Sequence, residues 1–295
     1  MRIAVYSANI GNYRKELNSF DDIDCIRGVD YYFFTDANIT SKKWKIVKVA
    51  LQKPTKYLDA QRNTAKYCKW IVPVILRQYD VIIWTDSKTT VTKLLKRWPG
   101  NDSNYIDNVI RLVKSNPSRD LFLWKHPART HARQEISLTM RTNQENKASG
   151  EHLMSIVKSK KFNVTLPDTC VMIIRNTEKT LASLEKVYTM LLEMGIARDQ
   201  NIIQYSLEKT GLDMQTKVFA DLALIFPHDP NRIIKTIKEI HNTKKGIGVS
   251  KRKSLLIHDP AIRSKKPTRN TQATPHLKTN KINFTSDTST DKDDQ

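Results

Sequence analysis

The sequence predicts an α/β fold in which helices flank a mostly parallel central sheet, on three observations. Short apolar runs typical of strands alternate with longer runs of helical spacing through the first 242 residues. Three predicted strands end in polar or acidic side chains, at Asn9, Asp36 and Asp86. Ligands bind beyond the carboxyl ends of the strands in open α/β sheets, so these residues mark the expected binding edge.

The first half of the chain predicts four strands and one basic helix. The predicted strands are residues 2–6, 30–36, 44–49 and 80–86. Residues 58–76 have helical spacing, and Arg62, Lys66 and Lys69 share one face of that helix at i, i+4 and i+7. Such a face is often simply solvated. Here the helix leads directly into strand 80–86, so the same charges could instead meet a diphosphate near the end of that strand.

The second half of the chain continues the alternation of helices and strands. The predicted helices are residues 103–114, most of 134–157, 177–194 and 199–210, and the predicted strands are 121–124 and 169–174. Gly195 is expected to stop the helix before it. The chain has only 8 glycines and no glycine-rich phosphate loop, which argues against kinases and nicotinamide dehydrogenases.

Charge composition separates a basic body from a basic tail. The 295 residues carry 50 Lys+Arg and 30 Asp+Glu, a formal charge of +20. Residues 243–295 hold 12 of the basic and 5 of the acidic residues and few apolar ones, which predicts a disordered tail after a folded domain of residues 1–242. The tail is either simply solvated or a patch for nucleic acid or an anionic membrane surface.

Cysteine usage and hydropathy indicate a reducing compartment. Cys25, Cys68 and Cys170 are scattered and form no C-x-x-C pair, which excludes a disulfide-stapled mini-protein and argues against structural zinc. Cys68 and Cys170 are expected to be buried structural residues. No run reaches the roughly 18–20 apolar residues of a membrane helix, and the N-terminal run is too short for a signal peptide. These features predict a cytoplasmic protein.

Several polar residues have both a structural and a functional interpretation. Asp86 ends the most apolar strand, where a carboxylate is costly unless paired, so it is either a helix cap or a ligand of a cation or substrate. Asp199 opens a predicted helix, where an acid is also favoured by the helix dipole. His126 follows strand 121–124, with Arg129 in the same loop, and His228 lies further on; each histidine is either structural or a ligand.

Six segments in this order resemble a known family. They are AVYSANIGNY, DYYFFTD, QRNTAKYCKWIVPVILRQYDVIIWTDSKTTV, FLWKHPARTHARQE, VMIIRN and RDQ. The set is similar to the glycosyltransferase-like family typified by plant tapetal and seed-mucilage proteins, which also has bacterial and viral members. The resemblance covers about residues 3–230.

The resemblance implies a GT-A-like domain that binds a nucleotide-diphosphate sugar, usually with Mn²⁺ or Mg²⁺, and passes the sugar to a glycan or other hydroxyl acceptor. By position, the nucleotide-sugar would be bound by Ser7, Asn9, Gly11, Asp36, Arg62, Lys69 and Lys88. The sugar or acceptor would be flanked by His126, Arg129 and Glu135. Asp199 would lie nearest the reacting sugar, with Arg198 and Gln200 beside it. Asp86 would hold the cation, and His228 is a weaker candidate ligand.

The sequence departs from the family pattern near the expected cation site. Lys88 stands where the family often has Asn. Its ammonium group could supply part of the positive charge that a divalent cation would provide. A site with the single carboxylate Asp86 also has fewer carboxylate ligands than the D-x-D pair of many related enzymes.

Two other functions fit parts of the sequence. The charge of +20 also suits a nucleic-acid-binding protein or nuclease, although nucleases cluster several carboxylates around metal ions and no nucleic-acid-binding module is recognisable. A catalytically inactive protein of the same fold that binds glycans or nucleotide-sugars is the third possibility.

Overall fold

The computed structural model describes residues 1–11, 21, 23–87 and 104–220, and within these ranges seven strands form one sheet in the order β3-β2-β1-β4-β6-β5-β7. The strands are β1 (Ile3–Asn9), β2 (Val29–Thr35), β3 (Lys45–Lys48), β4 (Val81–Thr85), β5 (Leu121–Lys125), β6 (Pro167–Arg175) and β7 (Thr216–Phe219). The predicted boundary at residues 242/243 and the tail lie outside these ranges, as do Lys88 and His228.

Parallel pairing dominates the sheet. Strands β3, β2, β1 and β4 run parallel to one another, and β5 is parallel to β7. Only β6 runs against its two neighbours, β4 and β5, among the described strands. The predicted α/β fold with a mostly parallel sheet flanked by helices is therefore confirmed, with β7 as an additional strand that the apolar pattern does not indicate.

Helices lie in the described parts of the connections from β3 onward. They are α1 (Ala60–Trp70), α2 (Val72–Ile75), α3 (Tyr105–Ser115), α4 (Ala132–Arg141), α5 (Lys147–Val157), α6 (Glu178–Glu193) and α7 (Asp199–Thr210), with a short 3₁₀ turn at Asp213–Gln215. The predicted single helix over residues 58–76 is wrong in one respect: the helix is interrupted at Ile71, because Pro73 lacks the N–H that a continuous helix needs and instead starts a new one.

The two faces of the sheet bury separate apolar layers. Alternate residues of β1 point to opposite sides, so that Tyr6 packs with α1, α6 and α7 while Val5 packs with α3. Trp70 and Trp84 lie in the first layer and are almost completely buried. Large side chains of this kind each contribute about 1.5–3 kcal/mol when removed from water. Helices α1 and α7 of the first layer carry charged side chains that meet at the end of β4.

The structure also tests the predictions about cysteines and membrane helices. Cys68 is buried as predicted, but Cys170 is partly exposed because it lies where the pairing of β6 with β5 becomes irregular. Among the described helices, none combines the length and the apolar character required to cross a bilayer.

Two glycines give a matched pair of stability predictions. Gly195 follows α6 as predicted, with φ +64°, and Gly211 ends α7 with φ +67°, so alanine meets the same backbone strain at both positions. A Cβ on Gly211 would meet nothing within 4 Å, whereas one on Gly195 would overlap the ring of Tyr57. We expect Gly211→Ala to cost about 1 kcal/mol of unfolding free energy and Gly195→Ala about 2–4 kcal/mol.

Thermal and urea unfolding of the two variants measure this difference directly. Equal losses would mean that Tyr57 moves aside without cost. Because Gly195 lies three residues before Arg198, the clash would also displace the start of α7.

Candidate functional site

An ion cluster lies where α1 and the start of α7 meet the sheet. Helix α1 begins at an Asp59 cap, whose carboxylate accepts the Arg62 amide at 2.7 Å, and runs back over β1. Its second half carries Lys66 and Lys69 inward, and the Lys69 carbonyl accepts the Tyr6 hydroxyl at 2.7 Å. The side chains of Lys66 and Lys69 are only 16% and 8% exposed, so this basic face is not solvated.

Asp199 is the centre of the cluster. Its Oδ1 lies 2.9 Å from Lys66 Nζ and its Oδ2 lies 2.6 Å from Lys69 Nζ. The Thr169 hydroxyl donates to Oδ2 at 3.2 Å and accepts from Lys69 Nζ at 2.9 Å. Asp199 is the first residue of α7, so it also lies in the first turn, where the helix dipole favours an acid.

Burial and charge act in opposite directions on these groups. Burial alone would raise the pKa of Asp199, but Lys66 and Lys69 together hold that pKa well below its usual range. Burial, together with the charges of Lys69 and Arg198, lowers the pKa of Lys66 even though Asp199 acts to raise it. For Lys69, burial is outweighed by Asp199 and Asp86, and its pKa is raised. The cluster therefore keeps Asp199 ionised and Lys69 protonated at neutral pH.

Asp86 joins this cluster from the end of β4. Its Oδ1 accepts Trp84 Nε1 at 3.2 Å and lies 3.7 Å from Lys69 Nζ. Its backbone N–H donates to the Cys170 carbonyl at 2.8 Å, which fixes the strand end against β6. The structure thus brings together Asp86, Lys69 and Asp199, which lie far apart in sequence.

Arg62 lies apart from the other two basic residues of its predicted face. Its side chain is 65% exposed and pairs with Asp59 across the first turn of α1, with 3.5 Å between Nε and Oδ2. Helical spacing predicts which side of the helix a side chain lies on, but it does not predict how deeply each turn of the helix is buried. The first turn of α1 projects beyond the layer that buries Lys66 and Lys69.

A second polar group surrounds the buried carboxylate of Glu135, which is 2% exposed. Arg129 Nε pairs with Glu135 Oε2, and Arg198 Nη2 lies 4.0 Å from Oε1. His126 Nδ1 accepts the backbone N–H groups of Ala128 and Arg129, both at 3.1 Å. Its Nε2 lies 3.1 Å from Arg129 Nη2 and 3.8 Å from Glu135 Oε2. The structure brings the three residues predicted for the sugar or acceptor into one group that reaches Arg198.

Glu145 fastens the start of α7, and the sequence analysis missed it. Its Oε1 accepts the backbone N–H groups of Ala197 and Asn146 at 2.9 and 3.0 Å. Its Oε2 accepts the N–H of Arg198 at 3.1 Å and the side-chain amide of Asn201 at 2.8 Å. Glu145 therefore caps the N-terminus of α7, because the side chain of Arg198, the N-cap residue, makes no capping hydrogen bond.

Thr169 was also missed, because its position depends on irregular strand pairing. The register between β5 and β6 shifts between Phe122 and Trp124. Such irregularities re-aim side chains, and here Thr169 points to Lys69 and Asp199. A threonine in an apolar strand is the only sequence signal for this role.

The residues predicted to line a nucleotide pocket gather at the ends of β1 and β2. Ser7 and Asn9 are buried in the last three residues of β1, and Asp36 Oδ1 accepts the Gly11 N–H at 2.9 Å. Gly11 has φ +68°, and a Cβ there would overlap the Gln61 side chain. Gln200, the second residue of α7, is 4% exposed, and its Nε2 has no hydrogen-bond partner among the described residues.

The donor set does not fit the divalent cation that the family resemblance implies. Both oxygens of Asp199 face ammonium groups, and Asp86 Oδ1 faces Trp84 and Lys69. Within the part of the chain that the structure describes, no three His, Cys, Asp or Glu side chains group as metal ligands.

Comparison with known proteins gives similarity in structure only. No protein-family model and no curated protein matches the sequence, so the resemblance to the tapetal and seed-mucilage family stays a prediction. The apo crystal structure of mouse xyloside xylosyltransferase 1 is 11% identical over 73% of this chain and 84% of its own, with a TM-score of 0.41. A glycosyltransferase involved in glycosylation of the major capsid of PBCV-1 is 11% identical over 81% of this chain and 100% of its own, with a TM-score of 0.40.

Proposed function

We propose that the chain is a glycosyltransferase that moves a hexose or pentose from a nucleotide-diphosphate sugar to a hydroxyl of a glycan or related acceptor. The observation that carries this proposal is the pair of buried ammonium groups, Lys66 and Lys69, held by Asp199 and Asp86 at the carboxyl edge of the sheet. The order of six sequence segments gives independent support.

The charges of the site suit the breaking of a sugar–diphosphate bond. When the anomeric carbon leaves the diphosphate oxygen, negative charge develops on the departing nucleotide. Ammonium groups that are already in place neutralise this charge as it forms, which stabilises the transition state more than the bound substrate. Lys69 and Lys66 take this role, and Arg198 adds a third positive group beside the start of α7.

Asp199 takes the proton that the acceptor hydroxyl releases. While both lysines face Asp199, it is a poor base, since they hold its pKa low. When a diphosphate draws the lysines away, burial is the main remaining influence on the pKa of Asp199. Burial raises this pKa, so the carboxylate becomes a better base. Donor binding therefore prepares the base for the acceptor.

The remaining predicted residues divide between the two substrates. Ser7, Asn9, Gly11 and Asp36 form the nucleotide side of the site, at the ends of β1 and β2. His126, Arg129 and Glu135 form the sugar or acceptor side, and Gln200 offers a buried amide next to Asp199 in the sequence. Arg62 is assigned only to the entrance, because it is exposed.

A panel of nucleotide-sugars tests this function by thermal shift and by release of nucleoside diphosphate. Ligands that bind only the folded state raise the melting temperature, and the correct donor should do so and then be consumed with an acceptor. Binding without release would show an inactive relative. A shift with DNA or RNA alone that is lost steeply with salt would favour the nucleic-acid function instead.

Asp86→Ala is expected to reduce turnover by about 100-fold or more, because Asp86 helps to hold Lys69 at the diphosphate. The variant also removes the acceptor of Trp84 Nε1 and one of the two carboxylates beside Lys69, so we expect the unfolding free energy to fall by about 1–3 kcal/mol. Asp107→Asn, on the exposed side of α3, is the matched control and should keep wild-type turnover. Wild-type turnover in Asp86→Ala would remove Asp86 from the mechanism.

A further inference from the structure

Lys69 occupies the position between two carboxylates that come from different parts of the fold. Its Nζ lies 2.6 Å from Asp199 Oδ2 and 3.7 Å from Asp86 Oδ1. Two acids that converge on one buried positive centre are the arrangement in which a divalent cation normally bridges carboxylates. Here the positive centre belongs to the chain itself.

The surroundings fix the Lys69 ammonium in this position. Its Nζ donates to Thr169 Oγ1 at 2.9 Å and lies 5.8 and 5.6 Å from the ring centroids of Trp70 and Trp84. Aromatic faces attract a desolvated cation. A divalent ion between Asp86 and Asp199 would have to displace this buried ammonium or accept two like charges in contact.

Lys66 adds a donor that a ligand can use. An ammonium has three N–H groups, and the contact of Lys66 with Asp199 Oδ1, at 2.9 Å, uses one of them. Its side chain is 16% exposed, twice as much as that of Lys69. Lys66 therefore lies nearer the solvent side of the cluster, where an incoming phosphate would first meet it.

We propose that Lys69, together with Lys66, takes the place of a divalent cation at the donor diphosphate, so that donor binding and transfer require no metal. This inference rests on the proposed function. In the empty site the two ammonium groups are balanced by Asp199 and Asp86. In the occupied site the diphosphate oxygens replace Asp199 as the partner of Lys66 and share Lys69 with Asp86.

Metal binding and diphosphate binding by the wild-type protein are the first test. Mn²⁺ titration followed by electron paramagnetic resonance should show no tight site that depends on Asp86. Binding of inorganic pyrophosphate is then measured by calorimetry in two buffers, one with a chelator and one with Mn²⁺ in its place. The two affinities should differ by less than about 2-fold, since the site already supplies its positive charge. A tight Mn²⁺ site that Asp86→Asn removes, and on which pyrophosphate binding depends, would overturn the proposal.

Lys69→Met is the second test, with Lys147→Met as the matched control. Loss of one charged donor is expected to weaken pyrophosphate binding by about 10- to 100-fold. The same change removes the Lys69 ammonium from between Asp86 and Asp199, so the variant should gain a Mn²⁺ signal and recover part of its pyrophosphate affinity when Mn²⁺ is present. Lys147 is 84% exposed on α5, and its replacement should alter neither quantity. Unchanged pyrophosphate binding in folded Lys69→Met would contradict the role of Lys69.

The outcomes separate this proposal from the proposed function. Sugar transfer that requires Mn²⁺ would overturn the metal-free assignment and leave the glycosyltransferase function standing. Metal-free pyrophosphate binding without transfer from any nucleotide-sugar would support the lysine assignment and contradict the transfer activity. The wild-type measurements do not depend on a variant, so the proposal stays testable if Lys69→Met fails to fold.

Discussion

Asp199→Ala is expected to abolish transfer and to lower the unfolding free energy by about 3–5 kcal/mol, the usual cost of leaving a buried charge without its partner. The variant keeps Asp86 and Thr169 near Lys69, so most of this cost falls on Lys66. Burial already lowers the pKa of Lys66, and without Asp199 the lysine must either lose its proton or stay charged in a poor environment. Urea unfolding and turnover with the identified donor measure the two effects.

A double variant separates the structural role of Asp199 from its chemical one. Lys66→Met with Asp199→Leu removes both buried charges and leaves Lys69 with Asp86. Replacing a buried ion pair with apolar groups of similar size is often neutral, so we expect stability to recover by several kcal/mol while turnover stays absent. Recovery of both would show that Asp199 acts only as a counter-ion.

The pH dependence of stability identifies the same carboxylate. The folded-state pKa of Asp199 lies well below its ordinary value, so its contribution is complete above the unfolded pKa of about 4 and is lost as pH falls through the lower folded value. The gap in unfolding free energy between the wild type and Asp199→Ala should therefore be largest near neutral pH and shrink below about pH 4. A gap that is constant down to pH 2 would mean that the charge of Asp199 is not the cause.

Apolar periodicity predicted the frame of this site but not its contacts. It gave the strands that end at Asn9, Asp36 and Asp86 and the helix that carries Lys66 and Lys69, because alternation and helical spacing are local properties of the chain. Lys66 and Asp199 are separated by 133 residues, and their contact follows from how α1 and α7 pack, which no local spacing encodes. The sequence therefore placed these residues at the correct edge without pairing them.

The errors and omissions have a common physical cause. Arg62 lies on the same side of α1 as Lys66 and Lys69, but its side chain is exposed. How deeply a side chain is buried depends on which neighbouring elements cover that turn of the helix. Thr169 depends on a register shift between β5 and β6, and Glu145 lies in the connection between α4 and α5, inside a segment that the sequence predicts to be mostly helical. These roles arise from tertiary packing, which overrides the local pattern.

Glu145→Ala is expected to lower the unfolding free energy by about 3–5 kcal/mol, because it leaves several N–H groups at the start of α7 without an acceptor. Four described N–H groups donate to this carboxylate, two of them from the backbone of Ala197 and Arg198. Glu151→Ala is the matched control on α5: that side chain is 60% exposed, and its loss should cost less than about 0.5 kcal/mol.

Glu145→Gln distinguishes a positioning role from a purely structural one. Glutamine has the same shape but presents an amide N–H₂ where one carboxylate oxygen stood, so the bonds to Ala197 and Asn146 can persist while those to Arg198 and Asn201 are lost. Since Glu145 touches no substrate in the proposed site, nucleotide-sugar KM should change little. Displacement of Arg198 and Asp199 should lower kcat by about 10- to 100-fold, because small misplacements of reacting groups are costly. A folded Glu145→Gln protein with wild-type kcat would show that the backbone of α7 holds Asp199 in place without this carboxylate, and that the four N–H bonds serve stability alone.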